Sequence, residues 1–405
     1  MFAYGFLSVI LALYLAQVGL SEAQIGLLLT LTLLGDALIS LWITTRADRM
    51  GRRRMLILGA ALMVLAGIVF AFSRSFIPLL IAATIGVISP SGLEVGPFLS
   101  IEQAGLSQIV KAEGRTHTFA WYNLTGSFAT ALGALFGGGL AQILQGRGLT
   151  ALGSYRVIVI GYAVMGLVLG LFFAFLSPSV EVPPPGSSSA SISTAKKRLG
   201  LHRSWGVVIK LSALFSLDAF AGGLVLQSIL AYWFHVRFKA PPALLGGIFF
   251  GANILAGLSA LSAAKIASKI GLIRTMVFTH IPSNIFLILV PLMPNLPLAI
   301  AVLLLRFSIS QMDVPTRQSY TMAVVDPDER SSAAGITGMS RTTGASLSPV
   351  LAGAFLGQRA LSSFPFFLSG GLKLVYDLLL YRSFRNLKPP QEIQERLGES
   401  ENGLG

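Results

Sequence analysis

Twelve apolar runs, each close to the length that a helix needs to cross a lipid bilayer, dominate the sequence. A transmembrane helix takes about 20 mainly apolar residues. The runs lie at residues 1–18, 24–45, 55–72, 76–99, 118–140, 157–176, 206–234, 243–263, 273–292, 296–322, 333–356 and 364–381. With 54% hydrophobic and 12% charged residues, the composition lies outside the range of soluble globular proteins. The sequence therefore predicts an all-α membrane protein with twelve transmembrane helices.

The positive residues predict which side of the membrane each loop faces. The chain has a net charge of +13, and Lys and Arg collect in cytoplasmic loops near the ends of spans. In this topology 19 of the 30 Lys and Arg residues are cytoplasmic and 6 lie in outer loops. We expect a multi-pass protein of the cell membrane with its linker and C-terminus in the cytoplasm. The scatter of the charges over many loops argues against a nucleic-acid partner.

A weak internal repeat divides the chain into halves. Gly26 corresponds to Gly246 at an offset of 220, and residues 133–138 correspond to 348–353 at an offset of 215. The Pro- and Ser-rich stretch between the halves cannot form a packed core. The repeat predicts two pseudo-symmetric six-helix bundles, with domains at 1–176 and 206–381, a cytoplasmic linker at 177–205 and a cytoplasmic tail at 382–405.

The repeat also bears on the N-terminus. The offset of 220 pairs Met1 with Ala221, so residues 206–220 of the seventh run have no counterpart in the first. The first helix is therefore expected to be truncated at its N-terminal end.

A short basic loop joins the second and third runs. Residues 46–54 include five arginines and one aspartate, and their pattern resembles the loop between the second and third spans of the major facilitator superfamily, G-x-L-a-D-R-x-G-R-R-x. The match runs from Ala47 through Arg53, whereas Thr44 replaces the opening glycine. The resemblance implies a latch between the two halves on the cytoplasmic side, formed by Asp48, Arg49, Gly51, Arg52 and Arg53. The expected acidic partners of the arginines are Glu102, Glu113 and Asp326. The alternative is a loop that only sets topology.

Ionisable residues inside the apolar runs are the candidate functional residues, because a charge at the bilayer centre costs roughly 3 kcal/mol. In the tenth run Arg306, Asp313 and Arg317 share one helix face, and Pro315 predicts a bend beside them. Asp218 lies near the middle of the seventh run and is the preferred proton-coupling residue. The proposed proton-coupling or substrate cavity comprises Asp36, Glu94, Asp218, Arg306, Asp313 and Arg341.

These assignments have structural alternatives. The charges of the tenth run can form a network that only holds helices together. Asp218 can be paired statically with Arg341 or Lys210. Lys373 and Asp377, an i, i+4 pair in the twelfth run, are interpreted as structural.

The direction of transport stays open. The glycines at 133–138 resemble the G-P-x-x-G-G portion of an antiporter signature, but Ala134 replaces its proline. Small residues at this spacing also allow close helix packing. The sequence does not favour either interpretation.

Enzymatic and metal chemistry find no support in the sequence. There are no cysteines, the four histidines are scattered without metal-ligand spacing, and no Gly-Lys pair of a P-loop is present. No catalytic residue, metal or cofactor is predicted.

The whole pattern favours a transporter that works by alternating access. Proton-coupled export of a drug-like or amphipathic compound is the first hypothesis. The alternatives are uptake or facilitated diffusion of a nutrient, and a transport-inactive receptor or scaffold with the carrier fold. The expected partners are a small-molecule substrate, protons and the lipid bilayer, and the expected state is a monomer.

Overall fold

The computed structural model of the protein describes residues 1–92, 96–110, 115–181, 201, 203–326 and 329–387. Within this part of the chain the α-helices are α1 (Phe2–Val18), α2 (Glu22–Met50), α3 (Arg52–Phe72), α4 (Phe76–Ile85), α5 (Pro97–Ile109), α6 (Arg115–Gly146), α7 (Ala151–Ala174), α8 (Trp205–Gly223), α9 (Gln227–Phe238), α10 (Pro242–Ile270), α11 (Leu272–Leu289), α12 (Leu296–Phe307), α13 (Asp313–Ala323), α14 (Arg330–Leu347), α15 (Pro349–Leu356) and α16 (Phe364–Phe384). Eight helical stretches of the described residues are long and apolar enough to cross a membrane, and α1, α4 and α12 are shorter apolar helices.

Each predicted run contains helix, but four runs that were expected to be continuous are broken in two. The fourth forms α4 and α5, the seventh α8 and α9, the tenth α12 and α13, and the eleventh α14 and α15. Proline explains many of the starting points, because it lacks an N–H group and suits the first turn of a helix, where that group is unpaired anyway. A first-turn proline is present in α5, α10, α12, α13, α15 and α16, at Pro97, Pro242, Pro297, Pro315, Pro349 and Pro365.

The break in the fourth run brings a backbone turn close to Asp36. Gly96, just before α5, has a φ of 54°, a conformation that glycine adopts without a Cβ penalty. A Cβ on Gly96 would lie 2.8 Å from Oδ1 of Asp36. The Asp36 carboxylate is therefore buried beside the N-terminal end of α5, where the helix dipole favours a negative charge.

The helices pack into two compact units that each draw on both halves of the chain. Unit 1 comprises Met1–Ile192, Leu224–Ile254 and Ser346–Ser363, and unit 2 comprises Ser193–Gly223, Leu255–Ala345 and Phe364–Gly405. Packing in one conformation does not report which residues move together. The domains at 1–176 and 206–381 that the repeat suggests therefore stay a prediction.

Unit 1 is built around α1. This helix is buried on all sides from Tyr4 to Leu15, as expected for a helix that is apolar all round. On α6, a Cβ at Gly133 or Gly137 would overlap the carbonyl oxygens of Phe2 and Phe6. The close helix packing that this glycine spacing allows is thus present between α1 and α6.

Unit 2 has a core formed by α8, α11, α13 and α16. In lipid, close packing rather than exclusion of water stabilises helix contacts, and large side chains provide it here. The buried residues of this core include Leu211, Phe215, Met276, Val277, Tyr320, Tyr376 and Leu380. The same four helices carry the polar residues described below.

Candidate functional site

A cluster of buried charges lies inside unit 2, with Asp218 at its centre. Asp218 follows the core residue Phe215 by three positions on α8, so both side chains point to the same interior face. Its Oδ1 accepts a hydrogen bond from Nζ of Lys373 at 2.5 Å. Its Oδ2 lies 3.3 Å from Nη1 of Arg317 and 3.3 Å from Nη1 of Arg341. One carboxylate is therefore surrounded by three cations, one of which is Arg341, a partner that the sequence offered as an alternative.

The second acid of the cluster comes from α13. Nη1 of Arg317 donates to Oδ2 of Asp313 at 2.7 Å, one helical turn away. The helix begins at Asp313 and holds Pro315 in its first turn. Instead of the bend expected beside Asp313, the helix is interrupted between Phe307 and Asp313. Asp313 and Arg317 still lie on one face of α13.

A third acid joins the cluster from α16, and its two partners come from α11. Oδ1 of Asp377 lies 2.9 Å from Nδ1 of His280, and its Oδ2 accepts from Nδ2 of Asn284 at 2.9 Å. Nε2 of His280 is also 3.9 Å from Oδ1 of Asp218. The sequence analysis did not predict a role for His280. The i, i+4 spacing of His280 and Asn284 could have indicated it, because Lys373 and Asp377 have the same spacing.

Two arginines of the cluster keep hydrogen-bonding capacity. Arg341 of α14 reaches Asp218 with one nitrogen, and 33% of its side-chain surface remains accessible. Arg306 of α12 interacts electrostatically with Asp218 and Asp313. Its buried Nε has no hydrogen-bond partner among the described residues, and neither has the buried hydroxyl of Ser310, one turn further on.

Asp36 and Glu94 are the remaining predicted cavity residues. Asp36 belongs to unit 1. Glu94 falls outside the described residues, as does Glu113. Lys210, one alternative partner of Asp218, is exposed on α8, whereas Arg341, the other, contacts Asp218 as described above.

The basic loop is anchored by an acid that the sequence did not single out. Gly51 separates α2 from α3 with a φ of 99°. Glu181 accepts hydrogen bonds from the backbone N–H of Arg52 at 2.7 Å and of Arg53 at 3.1 Å. Nη1 of Arg52 donates to the carbonyl oxygen of Val180 at 3.1 Å. Glu181 therefore caps the N-terminus of α3 and places a negative charge at the positive end of that helix.

The described residues show only part of the proposed latch. Arg49 lies in the last turn of α2, where a cation suits the helix dipole. The side chain of Asp48 lies outside the described part of the chain. Glu102, an expected partner of the arginines, accepts a hydrogen bond from the hydroxyl of Tyr122. The gating role stays a prediction.

Comparison with known proteins gives the family. The sequence model of the Major Facilitator Superfamily matches residues 1–349. An uncharacterized membrane protein of Saccharomyces cerevisiae is 30% identical over 403 residues, which cover 93% of this chain and 90% of the relative. The quinolone resistance protein NorA of Staphylococcus aureus is 22% identical over 254 residues, which cover 61% of this chain and 60% of NorA.

The fold is shared with solved transporters. The structure of a D-xylose-proton symporter superposes with a TM-score of 0.72 at 15% identity, with 94% of each chain covered. At this identity the likeness shows the fold alone, and it confirms the predicted all-α architecture with twelve membrane-spanning runs. Because the family match spans most of the sequence and the Saccharomyces relative aligns along nearly its whole length, the chain belongs to the Major Facilitator Superfamily of secondary transporters.

Proposed function

We propose that the protein couples protons to the export of a drug-like or amphipathic small molecule. The observation that carries this proposal is the buried cluster in which Asp218 contacts Lys373, Arg317 and Arg341. Charges within lipid-spanning helices are costly and mark substrate pathways and proton relays. Asp218 contacts three cations, so a change in its charge alters the pairing of several cations at once.

The broken helices support the same proposal. Interrupted helices in carriers bring polar groups and backbone dipoles to a binding site near the middle of the membrane. The break between α12 and α13 ends at Asp313, a member of the cluster. The partial likeness to NorA supports a drug-like substrate over a nutrient.

Flux measurements test the proposal. The purified protein is reconstituted in phosphatidylcholine vesicles, and the movement of a panel of fluorescent amphipathic compounds is followed with and without a pH gradient. Asp218→Asn is expected to lose the response to the gradient, whereas Lys210→Gln, an exposed cation on the same helix, is expected to keep it. If the wild-type flux is the same with and without the pH gradient, proton coupling is rejected. The absence of flux for every compound rejects transport and favours a receptor or scaffold.

The loop at 46–54 is proposed as the cytoplasmic gate of a monomer whose halves, 1–176 and 206–381, move against each other. Glu181 supports this proposal because it fixes the backbone of Arg52 and Arg53 at the start of α3. Other side chains of the loop can then change partners without unfolding the helix. Light scattering of the purified protein tests the monomer, since a mass of twice 43.0 kDa would reject it.

The cell membrane and the cytoplasmic position of the linker and tail are proposals as well. The chain contains no cysteine, so single cysteines can be placed without removing any. Leu149→Cys, in a proposed outer loop, is expected to react with an impermeant maleimide on intact cells. Ser188→Cys in the linker is expected to react only after the membrane is opened. The reverse labelling pattern rejects the topology.

A further inference from the structure

We propose that the transported molecule is an organic monoanion, a carboxylate or sulfonate with an apolar body, and that Arg341 and Arg306 bind its charged group. The inference rests on the transport function proposed above and names the substrate class of the same site.

The first argument is the charge balance of the cluster. Among the described residues, the carboxylates of the cluster are those of Asp218, Asp313 and Asp377. The four permanent cations that contact them or interact with them electrostatically are Lys373, Arg317, Arg341 and Arg306. His280 can only add positive charge. At least one positive charge therefore has no counter-charge in the cluster, and buried uncompensated charge is strongly unfavourable.

The second argument is the position of the available donors. Lys373 and Arg317 are almost fully buried and directed at Asp218 and Asp313. The side chain of Arg341 is 33% solvent-accessible and contacts the cluster through one nitrogen. The buried Nε of Arg306 and the hydroxyl of Ser310 find no partner within the described residues. Buried donors without acceptors are costly, and an anionic group would supply the missing acceptor.

The chemistry of these donors defines the ligand. A guanidinium presents a planar fork that matches two oxygens of a carboxylate or sulfonate. With His280 uncharged, one monoanion balances the cluster, and with His280 protonated a monoanion still lowers its net positive charge. The same helices contribute large apolar side chains, among them Leu211, Phe215 and Met276, and ligand sites in proteins generally combine an apolar lining with a few polar contacts.

A binding experiment with three matched naphthalene compounds tests the charge of the ligand. The full-length protein in phosphatidylcholine nanodiscs is dialysed against naphthalene-2-sulfonate, naphthalene-2-sulfonamide or 2-naphthylmethylammonium. The sulfonate stays ionised at every working pH, so any change in its affinity with pH comes from the protein. We expect the sulfonate to bind at least roughly tenfold more tightly than the neutral sulfonamide, with no saturable binding of the ammonium compound.

Substitutions assign the residues. Arg306→Gln and Arg341→Gln are each expected to weaken sulfonate binding roughly ten- to hundredfold, and Arg341→Lys is expected to retain part of the affinity. Lys210→Gln, which removes an exposed cation from α8, is the control and should bind as the wild type does. Two folded glutamine variants with wild-type affinity would overturn the assignment. If a variant does not fold, competition by naphthalene-2-carboxylate on the wild-type protein still decides the substrate class, since failure to compete overturns it.

An anionic lipid headgroup presents the same chemistry, and a lipid arm separates the two sources. Replacing a third of the phosphatidylcholine with phosphatidylglycerol is expected to leave sulfonate affinity unchanged. A competitive loss would assign the site to lipid and overturn a soluble substrate. Binding is measured without flux, so the two proposals can fail separately. An anion that binds but does not cross the membrane would contradict the proposed transport. Export of a neutral compound by a protein that does not bind the sulfonate would contradict the proposed anionic substrate.

Discussion

Gly26 of α2 and Gly353 of α15 meet at a helix crossing that leaves no room for a side chain on either residue. A Cβ on Gly26 would lie 2.9 Å from Cα of Gly353, and a Cβ on Gly353 would lie 2.8 Å from Cα of Gly26. Gly138 of α6 and Gly246 of α10 form a second crossing in the same unit, with corresponding distances of 2.8 Å and 3.2 Å. The sequence repeat relates Gly26 to Gly246 and Gly353 to Gly138. The two crossings are therefore equivalent under the repeat, and small residues permit both.

The first prediction contrasts two adjacent glycines of α6. A Cβ on Gly139 meets nothing within 4 Å, whereas a Cβ on Gly138 would overlap the carbonyl oxygen of Pro242. Alanine is favoured over glycine in a helix by about 1 kcal/mol, and overpacking costs about 1–3 kcal/mol. Gly139→Ala should therefore raise the thermal unfolding temperature slightly in detergent, and Gly138→Ala should lower it.

The same contrast is expected on α10, where Gly246 is enclosed and Gly247 faces open space. Gly246→Ala should destabilise the protein, and Gly247→Ala should be neutral or stabilising. Equal shifts for the two members of either pair would contradict the close crossing.

The second prediction concerns the ion pair of Asp218 and Lys373. Nζ of Lys373 donates to the carboxylate at 2.5 Å and also lies 3.3 Å from the backbone oxygen of Asp218. Removal of one partner of a buried pair leaves an uncompensated charge and typically costs 3–5 kcal/mol. Asp218→Asn is expected to lower stability by about that amount, measured by thermal unfolding. Lys373→Met should cost less, because Asp218 keeps Arg317 and Arg341 as counter-charges.

The double variant supplies the control for this pair. Because it removes both charges, its loss of stability should be clearly smaller than the sum of the two single losses. Additive losses would mean that Asp218 and Lys373 do not depend on each other, and the central contact of the cluster would have to be abandoned.

The sequence predicts the spans well because a lipid-length helix satisfies its own backbone, and apolar length is a local property. Breaks are also local in origin. Pro315 marks the start of α13, although the sequence reading expected only a bend there. Gly96 and Pro97 mark the start of α5 inside a run that was expected to be continuous.

Partners across helices are not local, and the site was therefore predicted only in part. The i, i+4 spacing of Lys373 and Asp377 suggests that they pair with each other. In the structure Lys373 contacts Asp218, and Asp377 contacts His280. Which acid contacts which cation depends on how each helix is rotated about its axis and how closely the helices pack. The spacing of residues within one helix predicts neither. Glu181 was missed for the same reason, because its contacts lie 128 and 129 residues away in sequence.

The third prediction separates hydrogen bonding from charge at Asp377. His280 and Asn284 are its hydrogen-bond partners, and neither carries a permanent charge. Asp377→Asn keeps an acceptor for one of them but removes a counter-charge, and should cost about 1–3 kcal/mol. Asp377→Leu leaves two buried polar groups without a partner and should cost roughly 2–6 kcal/mol, since each such group costs about 1–3 kcal/mol. Thermal unfolding of the two variants checks the order, and a leucine variant as stable as the asparagine variant would contradict these hydrogen bonds.

The fourth prediction concerns the helix cap at Glu181. Its two carboxylate oxygens accept from the backbone N–H groups of Arg52 and Arg53, so Glu181→Ala leaves the first turn of α3 without these acceptors. Loss of a cap costs about 0.5–2 kcal/mol, and the first turn should fray. Trypsin is therefore expected to cut after Arg52 and Arg53 faster in Glu181→Ala than in the wild type, with Glu181→Gln in between because its amide still offers one acceptor oxygen. Glu22→Ala, which changes an acid in the first turn of α2 instead, is the control and should leave the cleavage rate at these arginines unchanged. If the rate in Glu181→Ala also stays at the wild-type value, the cap does not hold the basic loop, and the proposed gate loses its anchor.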